Sequence, residues 1–235
     1  MRIARPYWLV DSIERLIGTL LRNRRFRPVG NPIKVNLGSG LIVAPGWVNV
    51  DGDLKTLFAG YPSSVTRLAY RLCKNREALS RQEFIDTLRD NVFVYRDLSY
   101  GVPLPDRSTD FIFTSHTIHH LYRDEALGLL KDALRTLKPG GIIRVAVPDL
   151  AYVVSLYQRG ERERALEFFF YPPSSRSQYS RRQYQYDFAL LGKLLAEAGY
   201  CDIRRCAFQQ GRTPDLTILD NRPEETLFVE AQSPR

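Results

Sequence analysis

The stretch KVNLGSG, Lys34–Gly40, joins a short apolar run to two glycines that flank a serine. Pro28, Gly30 and Pro32 interrupt the chain just before it, so Ile33–Leu37 reads as a buried strand. Glycine lets a backbone turn tightly or pass close to a ligand. Taken alone, G-x-G after a strand fits a plain turn as well as a binding loop. The neighbouring strands decide between the two. Trp47–Val50 is a second strand and ends at Asp51, a carboxylate placed to accept from both hydroxyls of a ribose, with Asp53 the weaker candidate. Asn91–Tyr95 leads to Asp97-Leu98, and Phe111–Thr114 leads to Ser115-His116. Four successive strand ends therefore each carry a glycine or a polar group.

Outward from these strands the pattern alternates with helices. Residues 54–90 read as an inserted helical layer, with Val65, Leu68, Leu72, Phe84, Ile85 and Leu88 as core candidates. Leu127, Leu130, Leu134 and Leu137 recur at helical intervals along Leu121–Leu137, and Lys138-Pro139-Gly140-Gly141 ends that helix before the strand Ile142–Val147. Two helices are expected in Tyr152–Phe170 and one in Phe188–Ala198, stopped by Gly199, before final strands near Ile203–Phe208 and Thr226–Ala231. Such alternation implies an α/β fold, a mostly parallel sheet covered on both faces that binds ligands at its strand C-terminal ends. Only Leu41–Gly46 separates Gly40 from the second strand. A parallel crossover takes about a dozen residues or more, so the first crossover helix must be missing or reduced to a turn.

In this order KVNLGSG, GWVNVDGD, RDLSYGVPLPDRSTDFIFTSHTIHHL and LKPGGIIRVAVPDL resemble the class I methyltransferases that use S-adenosylmethionine, and the similarity resumes in YDFALLGKLLAEAGY and EETLFVEAQ. Small bacterial members encoded beside glycosyltransferases are the nearest in pattern. The resemblance implies a three-layer Rossmann-like fold whose seven-stranded sheet has the order 3-2-1-4-5-7-6, the last strand antiparallel. It assigns Gly38, Ser39 and Gly40 to the methionine and ribose side of S-adenosylmethionine, Asp51 to the ribose hydroxyls, and Asp97 and Leu98 to the adenine. Ser115 and His116 would lie beside the transferring methyl group. Many relatives carry an acidic residue at the end of the first strand, and Asn36 stands there instead. The expected activity is methyl transfer to an oxygen or nitrogen of a small-molecule or saccharide acceptor. An RNA methyltransferase and a non-catalytic S-adenosylmethionine-binding regulator are the rival readings.

His116, His119 and His120, all the histidines of the chain, fall within five residues. One of them could remove a proton from the acceptor; packing or capping at the next helix is the bland alternative. No metal is expected, because Asp124 and Glu125 complete no recognisable ligand set. A sulfonium methyl is already electrophilic, so orientation alone can supply several kcal/mol. The asparagine-proline-proline-aromatic signature of amino-nitrogen methylation is missing, which disfavours nucleobase and nucleic-acid substrates.

Across its 235 residues the chain is 44% hydrophobic and 26% charged, a globular balance that excludes a disordered polyelectrolyte. The net charge is +8, and residues 1–30 supply seven arginines against Asp11 and Glu14. Those residues form a basic amphipathic helix, from about Pro6 to Arg22, with Val10, Ile13, Leu16, Ile17, Leu20 and Leu21 as its apolar face. It is expected to pack on the domain formed by 31–235, with peripheral contact to an anionic membrane as the alternative. Residues 171–186, with four tyrosines, three arginines and no acid, read as a loop over the acceptor. Cys73, Cys201 and Cys206 build no disulfide framework and read as reduced packing residues. With no apolar run long enough to span a membrane and no leader pattern, the expected location is the cytoplasm.

Overall fold

A computed structural model describes residues 7–72, 79–170 and 181–235, without the side chains of 7–11 and 72. Seven strands form one sheet: β1 (Lys34–Leu37), β2 (Trp47–Asp51), β3 (Val92–Tyr95), β4 (Thr109–Ser115), β5 (Leu137–Pro148), β6 (Cys201–Cys206) and β7 (Thr226–Gln232). Their order is β3-β2-β1-β4-β5-β7-β6, and β7 runs antiparallel to both its neighbours. This is the expected topology. The helices are α1 (Tyr7–Leu21), α2 (Ser63–Leu72), α3 (Arg81–Asp90), α4 (Arg123–Thr136), α5 (Leu150–Gln158), α6 (Arg162–Glu167), α7 (Phe188–Ala198) and α8 (Leu216–Leu219). No described helix is long and apolar enough to cross a membrane.

Period-two alternation sends Val35 and Leu37 of β1, Ile143, Val145 and Val147 of β5, and Leu227 and Val229 of β7 into the main core, with Leu130 of α4 and Leu191 and Leu195 of α7. The opposite face is covered in two pieces. Near β3, α2 and α3 pack through Ala69, Phe84 and Leu88 against Phe93 and Leu41. Over β1 and β4, where no crossover helix exists, residues 207–225 between β6 and β7 cross the sheet instead. Leu216 and Leu219 of α8 meet Trp47, Phe113 and Ala44 there, and Asp215 accepts from Trp47 Nε1 at 2.8 Å and Lys34 Nζ at 2.7 Å.

The root of this connector is a buried charge cluster. Arg144 of β5, fully buried, donates to Asp220 Oδ1 and Oδ2 at 3.0 and 2.6 Å and to the carbonyls of Ala207 and Gln210 at 3.1 and 3.0 Å. Its guanidinium also lies 5.0 Å from the centre of the Phe228 ring. Glu230 of β7 faces it at 3.4 Å and accepts from the backbone N–H groups of Arg212 and Thr213. Burial raises the Glu230 carboxyl, but those donors and the Arg144 charge outweigh it and hold the group below its ordinary value.

Several local expectations are corrected. Leu68 is 57% exposed, because α2 turns Thr66 and Ala69 inward. The Lys138–Gly141 turn is absorbed into β5, which already pairs Leu137 with Thr109 across a register shift. Cys201 is exposed on edge strand β6 and is not a packing residue, while Cys73 lies outside the described residues. On α1 the apolar stripe is only partly turned inward: Ile13, Leu16 and Leu20 are 40%, 61% and 72% exposed, Ile17 and Leu21 are half-buried, and Gly18 is buried. Tyr95 Oη donates to the Glu14 carbonyl at 3.1 Å, and Thr19 Oγ1 lies 3.2 Å from Tyr100 Oη.

Asp220→Ala would leave Arg144 buried with a distant carboxylate and two carbonyls. Removing one partner of a buried ion pair costs about 3 kcal/mol or more, so urea denaturation of this variant is expected to show a loss of that size.

Candidate active site

The rim of the sheet is assembled strand by strand. Gly38, at φ +68°, donates its N–H to the Val50 carbonyl at 2.8 Å and extends the β1–β2 ladder past β1. A methyl group on it would collide with the Thr117 side chain. Glycine is needed here for close approach of two backbone turns. Gly40, at φ +54°, is the opposite case, since nothing lies within 4 Å of where its Cβ would be. Its N–H donates to Asp51 Oδ2 at 2.7 Å, and the Asp53 N–H donates to Asp51 Oδ1 at 2.8 Å. Two backbone donors thus orient the Asp51 carboxylate. An ionised carboxylate offers about four lone-pair sites, so each oxygen retains capacity to accept from a diol.

Asp97 stands next along the rim. The Arg96 N–H donates to the Asp51 carbonyl at 2.9 Å, and a Cβ on Gly52 would sit 3.4 Å from Asp97 Cα, so the ends of β2 and β3 touch. Asp97 Oδ1 accepts from the N–H and hydroxyl of Ser99 at 3.0 and 2.7 Å and caps the short 3-10 turn Leu98–Tyr100, in which Leu98 is buried. A Cβ on Gly18 of α1 would be 3.2 Å from Asp97 Oδ2, so the helix crosses this residue.

Beside the glycine loop lies a cavity of about 210 Å³, lined by the Gly38–Gly40 loop, Ser115, His116, Asn221 and Arg222. Asp51, Asp97 and Leu98 lie along the rim outside it. The sequence-predicted residues thus divide into Gly38, Ser39, Gly40, Ser115 and His116 at the cavity, and Asp51, Asp97 and Leu98 beside it. Asn36 also faces the cavity, but its amide donates to the Ile42 carbonyl at 2.9 Å and to Asn49 Oδ1 at 3.3 Å. It braces the loop, a role the missing acid could not fill as a donor.

The three histidines form one stack. The ring centres of His119 and His120 are 4.0 Å apart, and His116 meets His119 edge-on at 5.9 Å. His116 occupies a left-handed backbone conformation, φ +50°, with Nε2 3.1 Å from Thr226 Oγ1. Burial, aided by the Arg222 and Arg182 charges, pushes its pKa down to about 3. Burial lowers His119 well below its ordinary value and lowers His120 as well. His119 is 2% exposed and its Nδ1 has no partner among the described residues; His120 Nδ1 lies 3.1 Å from the Arg181 carbonyl. None of the three caps α4, whose first turn is closed by Glu125 accepting from the Tyr122 N–H. Of the expected acceptor loop, 171–180 lies outside the described residues. The remainder is fastened down: Gln183 and Tyr184 donate to the His119 carbonyl, and Tyr186 is buried.

The pattern of the methyltransferase domain family matches residues 65–145, from α2 to the middle of β5. This segment therefore reads as a methyltransferase domain, and the sheet around it has the strand order of the class I methyltransferase fold. No curated protein matches the sequence. Among solved structures, a possible exported protein from Bordetella parapertussis is 17% identical, with 98% of this chain and 70% of that one covered and a TM-score of 0.51. S-adenosylmethionine-dependent methyltransferases of Thermotoga maritima (15% identical, 97% and 92% covered, TM-score 0.48) and Archaeoglobus fulgidus (14%, 96% and 94%, 0.49) are also similar. At 17% identity the likeness to the Bordetella protein speaks to the fold alone. The methyltransferase uses S-adenosylmethionine as its cofactor, and its glycine loop and Asp51 lie before the matched segment.

Asn221 and Arg222 of the methyltransferase were not legible as cavity residues from the sequence. They sit about 180 residues from the glycine loop and match no motif. The one available signal was indirect, because six residues between β1 and β2 cannot cover a sheet face and some distant segment had to do so.

Two outcomes follow for the methyltransferase. Gly38→Ala adds a steric collision to left-handed strain and is expected to cost about 3 kcal/mol, whereas Gly40→Ala carries the strain alone, about 1–2 kcal/mol; denaturant titration separates them. For His116 the folded pKa is depressed, so the unfolded chain binds its proton first. Its contribution to stability is whole above pH 6.5 and is lost as pH falls toward about 3. His116→Asn, which tolerates positive φ, should therefore flatten the fall in stability measured from pH 6.5 to 4.5.

Proposed function

We propose that this methyltransferase holds the adenosine of S-adenosylmethionine along the rim, with the ribose hydroxyls on Asp51 and the adenine beside Asp97 and Leu98. Gly38, Ser39, Gly40 and Ser115 take the methionine side. The observation that carries this reading is the Asp51 carboxylate, oriented by the Gly40 and Asp53 N–H groups and standing next to Asp97. A positive-φ glycine with open space where its Cβ would be, and the buried Ser39 Oγ without a partner among the described residues, suit a ligand that passes close to the backbone.

The acceptor in this reading is an oxygen or nitrogen of a small or saccharide-like molecule. Its support is the resemblance to methyltransferases encoded beside glycosyltransferases. When bound, the cofactor supplies an electrophilic sulfonium methyl group. The protein's part is to orient the acceptor in line and to exclude water. The histidines are neutral at neutral pH, and a base with a pKa near 3 removes a proton weakly. His116 serves as a positioning group held by Thr226, and the acceptor proton passes to solvent.

Asp51→Ala removes the diol acceptors while its strand remains paired on both sides. Hydrogen bonds to a charged group contribute about 1.5–3 kcal/mol, so calorimetry should show affinity for S-adenosylhomocysteine lowered at least tenfold with an unchanged circular dichroism spectrum. Equal affinity in the variant would remove Asp51 from the cofactor site.

A further inference from the structure

Pockets that enclose a drug-sized ligand run to about 300–1,000 Å³. The cavity of about 210 Å³ between the glycine loop, Ser115-His116 and Asn221-Arg222 is smaller, so it encloses one end of such a ligand and not the whole. It lies under the connector, over Asn36 of β1 and Phe113 of β4. Its polar lining is lopsided. Among the described residues Arg222 is the one charged residue lining it and no carboxylate does, and Ser39 Oγ and Asn221 Oδ1 are buried acceptors without partners. The nearest acidic group to Arg222 is Glu225 at 3.8 Å, too long for a hydrogen bond, so its guanidinium keeps donors free. Arg222 is held at φ +54° two residues after Asp220, the residue that Arg144 anchors through two hydrogen bonds.

We infer that Asn221 and Arg222 hold the amino-acid end of the cofactor in this cavity, with Arg222 on the α-carboxylate and Asn221 Oδ1, joined by Ser39 Oγ, accepting from the α-ammonium. The inference rests on the proposed cofactor placement and deepens it. Gly40 lines the cavity and is also bonded to Asp51, so a ligand whose ribose sits on Asp51 meets this space one residue away. A zwitterion requires a cation and a neutral acceptor side by side, and adjacent residues of the connector present both. Asn36, whose amide is spent on Ile42 and Asn49, brings no charge to oppose them.

The test compares two ligands that share the adenosine and sulfur but differ at this end. Affinities of S-adenosylhomocysteine and 5′-methylthioadenosine, which lacks the amino-acid portion, are measured by calorimetry on the wild-type chain, Arg222→Asn and Arg222→Lys. Asparagine is chosen because it accepts positive φ. The expected result is a loss of at least tenfold for S-adenosylhomocysteine in Arg222→Asn, partial recovery in Arg222→Lys, and 5′-methylthioadenosine affinity within twofold of wild type throughout. Unchanged S-adenosylhomocysteine affinity in Arg222→Asn, or an equal loss for both ligands, would overturn the assignment while leaving the placement on Asp51 standing. A wild-type chain that binds neither ligand would instead overturn that placement, and this inference with it.

Discussion

A parallel sheet must be covered on both faces, and six residues between β1 and β2 are too few to cover one. Much else in this methyltransferase follows from that shortage. The covering is done by the connector between β6 and β7, which crosses from the far edge of the sheet to Trp47 and Phe113. A segment so placed needs an anchor, and Arg144 provides it by bonding Ala207 at the start of the connector and Asp220 after α8. The anchor is ionic through Asp220, and the connector turns also present the Ala207 and Gln210 carbonyls to Arg144. A guanidinium with five donors satisfies several of them at once, which an apolar side chain could not do.

The histidine stack shows how burial decides chemistry. Three imidazoles in five residues suggest proton transfer when read as a string. Folded, His119 is buried and His116 and His120 are half-buried with Arg182 and Arg222 nearby, and burial and these charges both disfavour the charged form. The cluster is better suited to packing the turn after β4 against the segment at Gln183 and Tyr184 than to accepting protons. A methyl donor that needs no general base is compatible with that arrangement.

Much of the architecture was legible because parallel strands and helices have different periods. Leu130, Leu191 and Leu195 mark buried helix faces, and the proline and glycine positions set element ends such as Gly199. Asp51 and Asp97 were legible as rim residues because each ends an apolar run. What escaped depends on partners distant in sequence. The outward turn of Leu16 and Leu20 goes with a close crossing at Asp97, where Gly18 is the α1 residue facing the sheet. The part played by Asn221 depends on a connector whose path no local pattern records. The shortage between β1 and β2 could be read, but which segment would answer it could not.

The seam between α1 and the rim has a mechanical character of its own. At Gly18 the helix presents bare backbone to Asp97, with no knob seated in a hole at that point. Contacts such as Tyr95 with the Glu14 carbonyl and Thr19 with Tyr100 are polar at exposed or half-buried positions, where water can replace them. The Asp97 end of the rim is therefore bordered by contacts that water can take over, while the Arg222 end is bordered by a connector bolted to the buried Arg144.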